Sequence, residues 1–185
     1  VYFANTVESN NYLGLEDYFQ LEGLAYKITP VKKEKENEYT IGYVQPDILY
    51  NKCFDKLSFD KKIYQKKDLC NNQKQLISNY RNTFARLASR FLEDNKPEMT
   101  LLVLDKCIDL FPPDFAPYTY SILEIITDYF KIGQIKKARD LTENYMKNLV
   151  NETELLIKQN KDKSKEQEIR IKVYFLNELA KITNE

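Results

Sequence analysis

The side chains able to do chemistry here are mainly carboxylates, because other catalytic side chains are missing or isolated. The 185 residues contain no histidine. That removes the common general base near neutral pH and the commonest zinc ligand. Adjacent acids occur as Glu16–Asp17 and Glu93–Asp94. Hydrolysis by paired carboxyls needs the two groups about 5–10 Å apart across one cleft. Neighbours on a helix point about 100° apart, so neither pair converges on a substrate by itself, and both read as solvated helix faces. Ser58, Ser78 and Ser89 have no histidine to activate them and no GxSxG turn around them. Gly14, Gly23, Gly42 and Gly133 are too scattered for a phosphate loop and fit turns and caps. Cys53, Cys70 and Cys107 lack CxxC spacing, so they read as buried or isolated thiols; in an oxidising compartment one pair could bridge and leave one free. No catalytic, cofactor-binding or metal-ligating residue is expected, and no cofactor.

Charge and composition narrow the partners. Basic and acidic residues are equal at 28 each, so the basic surplus that binds nucleic acid is missing. Basic side chains are mostly lysine; the arginines are Arg81, Arg86, Arg90, Arg139 and Arg170. No apolar run approaches the roughly 18–20 residues that span a bilayer, so no direct membrane insertion is expected. The chain opens on "VYFANTV" without a methionine and is expected to be a piece of something longer.

The elements that must position any site follow from periodicity. "VYFANTV" and "LAYKITPV" have strand chemistry. Between them, Leu15, Tyr18, Phe19 and Glu22 follow helical spacing, with Ser9, Asn10 or Asn11 as cap and Gly23 as terminator. That order permits a parallel βαβ unit. "KKEKENE" is a charged loop, and "YTIGYV" a short third strand or edge. Pro46 starts a helix with Ile48, Cys53 or Phe54, and Leu57 on its apolar side. Residues 58–75 read as a polar, irregular segment.

From Asn79 the pattern is helical. Phe84, Leu87, Ala88, Phe91 and Leu92 form one stripe, and Leu101, Leu104, Ile108 and Phe111 the next, with Val103 and Cys107 on a second side. An offset of 38 carries the first stripe onto Ile122, Ile125, Ile126, Tyr129 and Phe130, and carries Val103, Cys107, Ile108 and Phe111 onto Leu141, Tyr145, Met146 and Leu149. The turn "EDNKP" lands on "KIGQI". Two helical hairpins are therefore repeated. A terminal helix over 166–183 closes the array, with Ile169, Val173, Leu176 and Ala180 as its stripe.

The second copy, "YFKIGQIKKA" from Tyr129 to Ala138, resembles tetratricopeptide repeats in its aromatic, its turn glycine and its later alanine. The first copy has Asn95 for the glycine and Thr100 for the alanine. The period exceeds the usual figure of about 34, with the excess in "PPDFAP". The expected fold class is α+β, predominantly α: a small βαβ-like segment over 1–75, then a tetratricopeptide-like helical region with its terminal helix over 76–185. Its expected groove positions are Asn82 and Ser89 with their offset partners Tyr120 and Thr127, the polar or aromatic residues beside the core stripes.

"YFANTV", "NYLGLEDYFQLEGLAYKI" and "FARLA…VLDKCIDLFP" together resemble the C-terminal soluble region of large multi-pass membrane proteins of the Bacteroidetes. That family, long a domain of unknown function, is grouped with transmembrane protein O-mannosyltransferase-like proteins. The resemblance spans roughly residues 1–150. It implies a parent whose catalytic loop lies outside this chain, a periplasmic placement, and a non-catalytic role here in protein contact or acceptor presentation. The implied partner is a protein or peptide, the parent's own membrane domain included. Two rival expectations are a free-standing helical-repeat adaptor binding peptides, and a carboxylate enzyme.

Overall fold

The computed structural model describes residues 1–33, 40–56, 69–112, 120–159 and 164–184. These fall into two compact units, Val1–Ser121 and Ile122–Glu185. The class is α+β and mainly α, as expected, but the N-terminal segment is no βαβ unit.

The strands β1 (Tyr2–Ala4), β2 (Phe19–Glu22) and β3 (Ala25–Ile28) form an antiparallel sheet in the order β1-β3-β2. Where helical spacing predicts a helix, the chain makes two short 3₁₀ turns, Ser9–Asn11 and Glu16–Tyr18, and then β2. Leu13 and Gly14 take consecutive positive φ values of 59° and 73°, which no right-handed helix tolerates. Gly23 does not end a helix. With Leu24 it forms the two-residue turn of the β2–β3 hairpin, and its φ of 73° suits the first central position of a type II′ turn.

Both faces of the sheet are occupied. Phe19 stacks on Tyr26 at 5.4 Å, and Phe3 and Tyr12 meet them edge-on or tilted. On the opposite face Gln20 and Glu22 are also buried. The free edge of β2 is closed by the expected "YTIGYV" segment: Tyr43 donates to the Phe19 carbonyl, and Leu21 to the Tyr43 carbonyl, each at 2.9 Å.

Helix α1 (Pro46–Asn51) starts at the expected proline and runs into a π-type turn, Lys52–Lys56. Its inward side carries Leu49 and Cys53, while Ile48 is exposed. Leu57 lies outside the described residues. Helix α2 (Asn71–Glu93) begins eight residues before Asn79. The Cys70 amide there donates to Gln73 Oε1 at 3.1 Å, a capping contact. Phe84, Leu87, Ala88 and Phe91 are buried as their spacing predicts. Helix α3 (Pro97–Leu110) turns its second side inward: Val103 and Cys107 are fully buried, with Leu104 and Phe111.

The second unit holds α4 (Ser121–Lys131), α5 (Ile135–Gln159) and α6 (Glu166–Asn184). Ile122, Ile125, Ile126 and Tyr129 of α4 are buried, as are Ala138, Leu141, Tyr145 and Leu149 of α5. The α6 stripe is rotated from its expected register. Phe175 and Leu179 are buried, whereas Val173 is 43% exposed and Ala180 is also exposed. Phe175 packs edge-on against Tyr145, and the bulky ring sets the register.

The turns at Asn95 and Gly133 close in the same way. Asn95 and Gly133 are both left-handed, at φ 56° and 75°. Asn95 donates to Leu92 and Lys96 to Phe91; Gly133 donates to Phe130 and Gln134 to Tyr129, all at 2.9–3.0 Å. Each set is the paired closure that ends a helix on a left-handed residue. Among the described residues no helix is long and apolar enough to cross a membrane.

Candidate functional site

Acids of both adjacent pairs are bound to cations. Asp17 accepts Lys32 Nζ at 2.6 Å. Glu93 and Asp94 both hold Arg90, at 2.9 and 3.1 Å. These last pairs border a polar cleft of about 740 Å³ in the first unit, which Lys33, Tyr43 and Lys96 also line. Lys33 Nζ lies 5.4 Å from the Tyr43 ring centroid, and Lys96 Nζ 5.7 Å from that of Phe91. Among the described residues, no group of three or more His, Cys, Asp or Glu could hold a metal ion.

A buried polar cluster in the first unit is built on β2. Glu22 accepts from Gln20 Nε2 at 2.8 Å and from the Tyr2 hydroxyl at 3.1 Å, with Lys27 and Lys52 Nζ each at 3.6 Å. The Tyr43 hydroxyl donates to Gln20 Oε1 at 2.5 Å. Both Glu22 oxygens are engaged, so the cluster ties the sheet to the Lys52–Lys56 turn and offers no free carboxylate.

Two arginines tie α2 to its surroundings. Arg81 donates to the carbonyls of Phe111 and Pro112 at the end of α3. Arg86 donates to those of Ile41 and Gly42 at 2.9 and 2.8 Å. Sequence reasoning gave neither a role. The usable signal was their clustering: in a lysine-rich chain, three of five arginines fall within ten residues of α2, where a planar fork bonds paired carbonyls better than an ammonium does.

The thiols are free: Cys70 is exposed, Cys53 and Cys107 buried. Burial pushes both buried thiols up to about 12, which leaves them protonated and unreactive.

The expected groove residues lie on α2, just before α4 and on α4. Asn82 and Ser89 stand two turns apart on α2, exposed and half-buried. Tyr120, 60% exposed, immediately precedes α4. Thr127 lies on α4 and lines a cleft of about 650 Å³ within the second unit. That cleft is mostly apolar, with Phe130 from α4, Ile135 and Met146 from α5 and Ile182 from α6. Lys131, Arg139 and Glu143 supply its charges, and all three are exposed. Periodicity marks Phe130 and Met146 only as core; the space beside them depends on the path of α6, which no local pattern encodes.

Residues 1–48 match the family model described as TMEM260-associated domain 2. The matched stretch is the three-stranded sheet, the Tyr43 edge and the opening of α1. No curated protein and no solved structure matches the chain.

Proposed function

We propose that this chain is a non-catalytic extramembrane region of a glycosyltransferase-like membrane protein of the protein O-mannosyltransferase kind, facing the periplasm. Its tetratricopeptide-like hairpins make protein contacts or present an acceptor. The match of residues 1–48 to TMEM260-associated domain 2 carries this reading, because that description ties the segment to a membrane-protein context. The recurrence of helix, turn bonds and left-handed residue at an offset of 38 supports a contact role, since helical hairpins of this kind commonly serve as binding surfaces.

Two measurements test it. The chain, incubated with lipid-linked and nucleotide-linked mannose and peptide acceptors, should transfer no sugar; transfer overturns the non-catalytic assignment. A photo-crosslinker replacing Tyr120, introduced in the native host, should trap a polytopic membrane protein or a periplasmic protein. Trapping of cytoplasmic proteins alone, with no membrane spans encoded upstream of Val1, would replace this reading with the free-standing peptide-binding adaptor.

A further inference from the structure

The cleft within the second unit is the feature that the match over residues 1–48 leaves untouched. Its volume of about 650 Å³ lies within the range of sites that take a ligand, roughly 300–1,000 Å³. Helices α4, α5 and α6 all contribute, and the lining is mostly apolar. Water held against Phe130, Ile135, Met146 and Ile182 is released when an apolar side chain replaces it.

The charges give the occupant its sign. Lys131 and Arg139 stand against Glu143 alone in the lining. Lys131 reaches the buried Asp128 only at 3.7 Å. Arg139 and Glu143 are one helical turn apart on α5, yet Arg139 has no ion-pair partner among the described residues. An exposed guanidinium of this kind beside an apolar cleft complements a carboxylate carried next to an apolar side chain.

We infer that this cleft docks a short protein segment presenting a bulky apolar side chain flanked by an acidic residue. The inference rests on the contact role proposed above and names the chemistry of the partner.

The test uses the intact chain and two fluorescein-labelled hexapeptides, each with a Leu-Phe centre, one flanked by glutamates and one by lysines. Fluorescence anisotropy should show the acidic peptide binding more tightly. Arg139→Glu, at an exposed position, should weaken it about three- to tenfold, the range expected for a rim charge, and should improve binding of the lysine peptide. Met146→Lys should abolish binding of both; circular dichroism checks that this variant is folded, and Ile135→Lys at the more exposed edge repeats the test. Equal binding of the two peptides, or indifference to Arg139→Glu, overturns the inference. So does displacement of the acidic peptide by dodecanoate, which would make the cleft a site for anionic alkyl chains. The crosslinking result is independent: a membrane protein trapped at Tyr120 with no peptide bound in the cleft overturns the docking site and leaves the contact role standing.

Discussion

Arg81 reaches from the middle of α2 to the Phe111 carbonyl just past the end of α3, donating from Nη2 at 3.0 Å and from Nε at 3.3 Å, and the residue is only 1% exposed. A third bond runs from Nη2 to the Pro112 carbonyl at 2.9 Å. The last carbonyls of a helix lack intrahelical partners and carry partial negative charge, so the guanidinium satisfies them and opposes the α3 dipole. Tyr80 stacks on the Phe111 ring at 5.5 Å and holds the same junction from the side.

Arg81→Met should therefore destabilise the chain by about 3–5 kcal/mol, because it strands buried carbonyls and leaves a poorly filled site. Arg81→Lys should lose less but not recover the wild-type value, since an ammonium cannot reproduce the fork. Guanidinium unfolding of the three proteins checks this. A loss below about 1 kcal/mol for the methionine variant would show that the junction is held by apolar packing alone.

Gly42 and Gly133 predict different costs for the same substitution. Both have positive φ, 69° and 75°. A methyl at Gly133 meets nothing within 4 Å, whereas at Gly42 it would lie 3.0 Å from the Phe19 carbonyl oxygen and 3.1 Å from Phe19 Cβ. Gly133→Ala should cost about 1–2 kcal/mol, the left-handed penalty. Gly42→Ala should cost more, about 2–5 kcal/mol, because the edge contact of Tyr43 with β2 must open as well. Thermal melts of the two variants rank them directly.

The two hairpin turns predict a reciprocal pair. Asn95 occupies a left-handed position in its turn, as Gly133 does in the turn between α4 and α5. Asn95→Gly should be neutral or stabilising by up to about 1 kcal/mol, and Gly133→Asn destabilising by a similar amount. Asn95→Val should cost at least about 2 kcal/mol, since a β-branched side chain is least compatible with that backbone. Urea midpoints of the three variants decide it.

Thiol chemistry should separate the cysteines. At pH 8 a disulfide reagent such as DTNB should titrate one thiol quickly, Cys70, and reach Cys53 and Cys107 only on unfolding. Burial holds those two at about 12 in the fold, against 9.0 when unfolded. Below pH 9 both states keep the protons and stability is unaffected. Between about 9 and 12 only the unfolded chain ionises, so stability falls as pH rises, by on the order of 3 kcal/mol at pH 10. Burial raises Tyr80 as well, which adds in the same direction. A double Cys53→Ala, Cys107→Ala variant should show a flatter decline above pH 9.

What the sequence determined by itself is the helical half. Phe84, Leu87 and Phe91, and their equivalents Ile122, Ile125 and Tyr129, are buried where periodicity puts them. The turns close at Asn95 and Gly133 because left-handed residues and stop signals act within a few positions of chain. The structure alone decided the segment from Leu15 to Glu22. Its residues satisfy a helical period through Leu15, Tyr18, Phe19 and Glu22, and a strand period through Phe19 and Leu21 against Gln20 and Glu22. The strand prevails because β3 and the Tyr43 edge pair its backbone, and because Tyr2, Lys27 and Lys52 converge on Glu22 from three other segments. Without them a buried glutamate on a sheet face is costly, and reading it as a solvated helix position is the cheaper choice. The same holds for α6: Ile169, Val173 and Leu176 make an acceptable stripe in isolation, yet Phe175 finds Tyr145 and turns Val173 outward. Periodicity says that a helix has an apolar side; which side meets a partner is settled by the partner's own side chains, and those lie far away in the chain.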